Sequence, residues 1–180
     1  MARSTMAALI LRTRTLIGDT PTPQTFTDDQ VEDALDHRRT DVIECQLSFR
    51  GSTAPGGTIT YHDYYAPRGD WEDTVVLKDR TWATITADVA DLVSGHWTFT
   101  ANTIGPVFIT GAVYDLAGAA YDLLTAWSSL LSLDFDFATD GQSFSRSQKF
   151  AQLSTLSNEY ARRMRPRAAR TDWRSVVGAW

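Results

Sequence analysis

Histidine is a residue type that commonly acts in catalysis or binds a metal ion in proteins. The three histidines, His37, His62 and His96, show no HExxH or other spacing that would bring two imidazoles to one metal ion. The 180-residue sequence also lacks the GxSxG, P-loop and GxGxxG motifs. We expect each histidine to be a surface residue or a hydrogen-bonded one. The sequence therefore predicts no enzyme, no cofactor and no metal site.

Clustered carboxylates are the other groups that could do chemistry. The acidic stretch 134–141 has the aspartates of a calcium loop, but one is displaced and the glutamate that completes an EF-hand is missing. Asp70, Glu72 and Asp73 flank Trp71 and could supply the carboxylate pair of a glycosidase. No histidine accompanies these loop carboxylates, so we expect them to be solvated rather than catalytic.

Charge is sorted along the chain. Residues 1–18 contain three arginines and no acid, whereas residues 19–140 contain twenty acidic side chains against six basic ones. Residues 141–180 contain eight basic side chains against two acidic ones, and the formal net charge is -5. An acidic body with a basic end suits contact with several different surfaces, and its acidity disfavours a DNA-binding regulator. The pattern indicates a component of an assembly.

Helical signals occur at both ends of the sequence. Thr27 and Gln30 form a capping box, which predicts the start of a helix. Apolar residues at helical spacing predict further helices over 6–17, 111–131 and 145–165. The longest apolar run carries two aspartates, which favours a buried helix over a membrane span.

The middle of the sequence has strand periodicity. Residues alternate between apolar and polar over 43–49, a loop is expected over 51–57, and 58–65 is again β-rich. Short strands are further predicted over 74–77, 82–86, 97–101 and 107–110. Such a lobe packs its core with aromatic rings, although a sugar-binding patch is an alternative. The rings concerned are Tyr61, Tyr64, Tyr65, Trp71, Trp82, Trp97 and Phe99.

These elements predict an α+β fold. We expect an α-helical bundle of about four helices, formed by residues 1–41 and 111–165. A small antiparallel β lobe, residues 42–110, is inserted into it. Residues 166–180 are predicted to be an extended C-terminal arm.

The predicted arm is basic and carries two tryptophans. Trp and Arg dominate the centres of protein interfaces, so we interpret the arm as a segment that docks on a partner, with a frayed terminus as the alternative. The candidate contact residues are Arg167, Arg170, Trp173, Arg174, Val176, Val177 and Trp180.

Six segments carry a resemblance to a known family. They are LRTRTLIGD (11–19), FTDDQVEDALDHRR (26–39), WE (71–72), GHWTF (95–99), TGAVYDLAGAAYDLL (110–124) and FSRSQKFAQLSTLSNEYARRMR (144–165). In texture and order they resemble the head-to-tail adaptor, or connector, proteins of tailed bacteriophages.

The resemblance implies a structural virion protein made in the host cytoplasm. Such adaptors form a homo-oligomeric ring, typically dodecameric, between the portal protein and the stopper or tail-completion proteins. Double-stranded DNA passes through the ring without specific binding, and C-terminal segments reach into the portal. No membrane is involved. Other neck, tail-completion or capsid-surface roles, and a carbohydrate-binding module in the β lobe, remain alternatives.

A DNA channel should not hold phosphate strongly, because each neutralised phosphate adds salt-dependent affinity. An acidic wall would let the duplex slide. We therefore hypothesise that carboxylates of the second helix line the channel. The candidates are Asp28, Asp29, Glu32, Asp33 and Asp36.

Overall fold

The computed structural model describes residues 2–20, 23–53, 57–132, 137–139, 142–144 and 146–165. The helices are α1 Ala7–Ile17, preceded by a short 3-10 turn, α2 Asp28–Asp36, α3 Leu116–Ser132 and α4 Arg146–Arg163. The strands are β1 Arg39–Gln46, β2 Ser48–Thr53, β3 Ile59–Tyr65, β4 Val76–Lys78, β5 Thr84–Ile85, β6 Val89–Asp91, β7 His96–Thr98, β8 Phe108–Tyr114, β9 Phe137–Thr139 and β10 Gln142–Phe144. The predicted mixed α+β class is confirmed.

The first two helices begin or end where the sequence predicts. The Thr27 hydroxyl accepts a hydrogen bond from the backbone N–H of Gln30, and the Gln30 side chain accepts one from the backbone N–H of Thr27 at 2.8 Å. This capping box satisfies two backbone donors that the first turn of α2 would leave unpaired. Gly18 ends α1 with φ 73°, a left-handed conformation that glycine adopts without strain.

The helices share one hydrophobic core. α3 packs against α1, α2 and α4. Leu9 and Ile10 from α1, Val31 from α2 and Leu124 from α3 are buried together there. This packing fixes α2 against α1, which decides how its carboxylates are displayed.

Eight of the strands form two four-stranded antiparallel sheets with a second core between them, and β9 pairs with β10. The first sheet has the order β1-β8-β4-β5 and the second β2-β3-β7-β6. Trp71 packs edge-to-face on Trp97 in this core, with ring centroids 5.8 Å apart. β8 serves both cores, because Ile109 and Val113 face the second sheet while Tyr114 lies in the helical core.

Several boundary predictions are wrong. Helix was predicted from Gly111, but residues 111–114 continue β8, and α3 starts at Leu116. The strand predicted over 43–49 breaks at Leu47, where the chain leaves the first sheet for the second. β2 then runs to Thr53, through the start of the predicted loop.

Strands also occur where none was predicted. β6 lies in a stretch too short to show alternation, β9 lies where an acidic loop was expected, and β10 directly follows that loop. β1 starts at Arg39 and β8 ends at Tyr114, so strands extend past both expected limits of the β lobe, residues 42 and 110.

The expectation of an aromatic core in the β lobe is confirmed in part. Tyr64, Trp71, Trp97 and Phe99 are buried. Trp82 and Tyr65 are instead exposed at the surface. The lobe therefore has aromatic side chains at its surface as well as in its core.

Candidate functional site

The acidic helix α2 presents its five carboxylates on two neighbouring faces. Asp28, Glu32 and Asp36 are four residues apart and share one face, and Asp29 and Asp33 share the next. Val31 and Leu35, on the side of the helix opposite Asp29 and Asp33, are buried. The two acidic faces have different surroundings.

The first acidic face of α2 is bound by Arg3. The guanidinium of Arg3 contacts Glu32 at 2.6 Å and Asp36 at 2.5 Å. The backbone N–H of Arg3 donates a further hydrogen bond to Glu32 at 2.8 Å. One arginine therefore neutralises part of the charge of two carboxylates that we predicted to line a channel.

Arg14 binds the start of α2 from α1. Its guanidinium contacts Asp19 at 2.8 Å and Asp28 at 2.7 Å, and it donates to the carbonyl oxygen of Phe26 at 2.8 Å. The side chains of Arg14 and Asp19 are each 3% exposed. Asp19 also accepts the backbone N–H of Thr25 at 2.7 Å. This buried cluster fixes the segment that leads from α1 into α2.

The N-terminal arginines thus bind carboxylates of their own chain. Arg3 and Arg14 hold α2, and Arg12 forms a salt bridge with Asp70. Part of the charge segregation seen in the sequence is therefore neutralised within the folded molecule.

The second acidic face of α2 is exposed. Asp29 and Asp33 both lie at the surface, one helical turn apart. Arg3 and Arg14 contact Asp28, Glu32 and Asp36 rather than Asp33. Asp28 and Asp36 are exposed too, but each forms a salt bridge with an arginine that precedes α2.

Glu72 is buried, contrary to the expectation that the loop carboxylates are solvated. Its side chain accepts hydrogen bonds from the hydroxyl groups of Thr5 and Tyr114, each at 2.7 Å, and Arg3 lies 4.0 Å away. These partners are distant in sequence, so no local spacing could reveal the site. The network ties the N-terminal segment and β8 to the loop after Trp71.

Opposing effects set the ionisation of this network. Burial alone would raise the pKa of Glu72, but the hydrogen bonds from Thr5 and Tyr114 and the charge of Arg3 outweigh it, so its pKa lies below the ordinary 4.5. Burial, then the hydrogen bond to the Glu72 carboxylate, raises the pKa of Tyr114 above its ordinary value. Glu72 is therefore an ionised acceptor and Tyr114 a neutral donor at neutral pH.

Replacing Glu72 by glutamine should lower the free energy of unfolding at pH 7 by about 2–3 kcal/mol, because hydrogen bonds to an ionised acceptor are worth about that much. The lowered pKa means that this stabilisation is complete above pH 4.5 and is lost as the pH falls through the folded-state pKa. The difference between wild type and variant should shrink in acid. Urea unfolding at neutral and acidic pH measures it, and an equal difference at both would contradict the assignment.

The remaining candidates are the acidic stretch, the arm residues and the histidines. The acidic stretch 134–141 and the arm residues Arg167, Arg170, Trp173, Arg174, Val176, Val177 and Trp180 lie outside the described residues, or outside those whose side chains are described. The imidazole of His62 contacts the carbonyl oxygen of Phe99 at 2.8 Å, and that of His96 contacts Asp63 at 3.1 Å. The structure does not bring the histidines into one cluster.

Within the described ranges, no group of three or more His, Cys, Asp or Glu side chains is arranged to hold a metal ion. None of the helices in those ranges combines the length and apolar character needed to cross a bilayer.

Comparisons of the chain with protein-family models, with curated proteins and with solved structures found no match. Functional inference therefore rests on the residues and their geometry.

Proposed function

We propose that this protein is a structural component of a phage neck, an adaptor that forms a homo-oligomeric ring between the portal and the stopper or tail-completion proteins. Double-stranded DNA passes through the ring without specific binding. The protein acts in the virion and catalyses no reaction. The sequence resemblance described above is the origin of this proposal.

The observation that carries the proposal is the exposed acidic face of α2. Asp29 and Asp33 are exposed one helical turn apart. A surface of this kind repels phosphate and releases no counterions from DNA. In a ring with α2 facing the lumen, the repeated pair of carboxylates would line the channel with negative charge that does not bind the DNA phosphates.

Virus particles produced without this protein test the proposal. Full heads that lack tails, seen by negative-stain electron microscopy, are the expected result. Tails of irregular length on joined particles would favour a tail-terminator role. Normal, infectious, tailed particles would reject a neck function.

Charge reversal on α2 tests the channel assignment. Asp29→Lys with Asp33→Lys should slow genome ejection, because lysines in the wall add salt-dependent attraction for phosphate. The fold should survive, since loss of one acid near a helix N-terminus costs about 0.3–1 kcal/mol. Ejection rates measured by fluorescent dye release should recover as salt is raised.

The matched control for that experiment reverses two exposed acids elsewhere, Asp73→Lys with Glu159→Lys. It changes the net charge equally and should leave ejection unchanged. Equal slowing in both double variants would mean that total charge, not α2, is responsible.

A second candidate function is a carbohydrate-binding surface on the β lobe. Trp82 is 51% exposed and stacks on Phe108, with ring centroids 4.9 Å apart and planes 11° apart. The ammonium group of Lys78 lies 5.6 Å from the Trp82 ring. Flat exposed rings with a polar neighbour suit the apolar face of a sugar. A glycan array probed with wild type and Trp82→Ala tests this function.

A further inference from the structure

The two sheets of the β lobe end on open sides. β1 and β2 are consecutive in the chain and are the edge strands of the two sheets on one side. β5 and β6 are likewise consecutive and are the edge strands on the opposite side. Within the described ranges, no strand pairs with the outer side of any of these four. Each lateral side of the lobe therefore presents two unpaired strand edges.

Both open sides carry apolar side chains at the surface. Ile43 on β1 is 72% exposed, Phe49 on β2 is 48% exposed, and Val89 on β6 is 61% exposed. All residues of β2 and of β6 are exposed. Neither strand contains lysine or proline, the residues that commonly protect an edge from pairing.

The register of the second sheet aligns three residues of β2 with the three residues of β6. Three rows of facing residues cross all four strands and join Ser48 to Asp91, Phe49 to Ala90, and Arg50 to Val89. A β-bulge after Arg50 ends the regular part of β2. Each edge thus offers three consecutive residues in regular strand conformation.

The direction of the edges also matches. All neighbouring strands are antiparallel and each sheet has four strands, so its two edge strands run in opposite directions. A second copy placed beside the first without inversion would therefore meet it with an antiparallel pair, in both sheets at once.

We propose that the β5–β6 side of one copy of this chain pairs with the β1–β2 side of the next. This contact is head-to-tail, and it deepens the proposed function by assigning the contact that builds the ring. In the second sheet, Arg50 faces Val89 of the next copy and lies diagonal to its Asp91. Opposite charges at diagonal positions stabilise such a pair, and the register leaves Phe49 opposite a small alanine.

The outer face of the second sheet supports this register. Asp63 contacts both His96 and Thr98 at 3.1 Å, which shows that Arg50, Asp63, Thr98 and Val89 belong to the exposed face. Phe49 and Ala90 flank the buried Tyr64 and Trp97 on the other face. Pairing in the proposed register continues both faces of the sheet without a polar side chain entering the core.

Disulfide cross-linking of the purified full-length chain tests the contact. In a background where the single cysteine is removed by Cys45→Ala, the pair Arg50→Cys with Val89→Cys should form a ladder of covalent trimers, tetramers and larger species on oxidation at high protein concentration. Directly facing strand residues bring their Cβ atoms to about 4.5–5.5 Å, within the small adjustment that a disulfide needs. Non-reducing gels measure the ladder.

Two controls fix the interpretation. Arg50→Cys with Ala90→Cys places the two thiols on opposite faces of the continued sheet, so the ladder should be lost. Arg50→Cys alone can form dimers only. A strong dimer from that single variant would indicate a two-fold contact between β2 strands and would overturn the head-to-tail proposal. A ladder of equal strength from the mismatched pair, or no species above monomer from the facing pair, would also overturn it.

This experiment contains no portal and no virus particle. A ladder from the isolated chain, together with normal particles made in its absence, would reject the neck function and leave the edge contact standing. Full heads without tails, together with no ladder from the isolated chain, would support the neck function and reject the edge contact.

Discussion

Replacing Arg14 by methionine is expected to lower the free energy of unfolding by about 3–5 kcal/mol, the usual cost of leaving one member of a buried ion pair alone. Asp19 would keep its buried position, with the loss of the guanidinium 2.8 Å away. The carbonyl oxygen of Phe26 would lose a donor as well. Methionine retains the apolar length of the side chain, so the effect reports the charge and hydrogen bonds rather than a cavity.

The matched control is Arg12→Met. Arg12 lies on the same helix and pairs with Asp70, but its side chain is 39% exposed. An exposed pair contributes about 0–1 kcal/mol. Urea or guanidinium unfolding measures both variants. Similar small losses for Arg12 and Arg14 would show that the buried cluster does not hold α1 to α2.

Truncation after Arg165 is expected to abolish joining of this protein to portal-containing heads while leaving its fold intact. The removed segment contains the predicted contact residues Trp173 and Trp180. Each interface tryptophan that acts as a hot spot is worth about 2 kcal/mol or more, which is about a thirtyfold change in affinity. Co-sedimentation of the truncated chain with full heads measures the loss.

Contacts at the end of α4 determine where the chain can be truncated without loss of the fold. The backbone N–H of Arg165 donates a hydrogen bond to Asp115 at 2.7 Å, so this residue is still part of the folded unit. The hydroxyl of Tyr160 donates to the carbonyl oxygen of Leu16 at 2.9 Å, which ties α4 to α1. A chain ending before Tyr160 should lose stability, and it serves as the unfolded comparison.

The tryptophans can be separated from the rest of the arm. Trp173→Ala with Trp180→Ala should reproduce most of the effect of truncation if they anchor the arm. Normal joining by the truncated chain, with unfolding behaviour like that of the full chain, would reject the docking role of residues 166–180.

Local signals in the sequence predicted several elements well. The Thr27–Gln30 capping box and the glycine after α1 work through neighbours a few residues away. The β-rich composition of residues 58–65 likewise predicted β3. Such features depend on backbone geometry and short-range hydrogen bonds, which any fold containing those residues would use.

Residues 111–114 show where local signals fail. Their small and apolar side chains suit the start of a helix as well as a strand. They form β8 because β1 pairs with all four of them, because Trp71 forms an isolated bridge with Val113, and because Tyr114 reaches the helical core. Pairing between distant segments overrides weak local preference.

The sequence by itself determined the α+β class, the capped start of α2 and the acidic character of that helix. Only the tertiary structure decided which carboxylates Arg3 and Arg14 bind. Arg3 and Arg14 lie far from α2 in the extended chain, yet packing of α1 brings them to one acidic face and leaves Asp29 and Asp33 on the other. Charge is a property of residue type, but its neutralisation depends on distances that only folding sets.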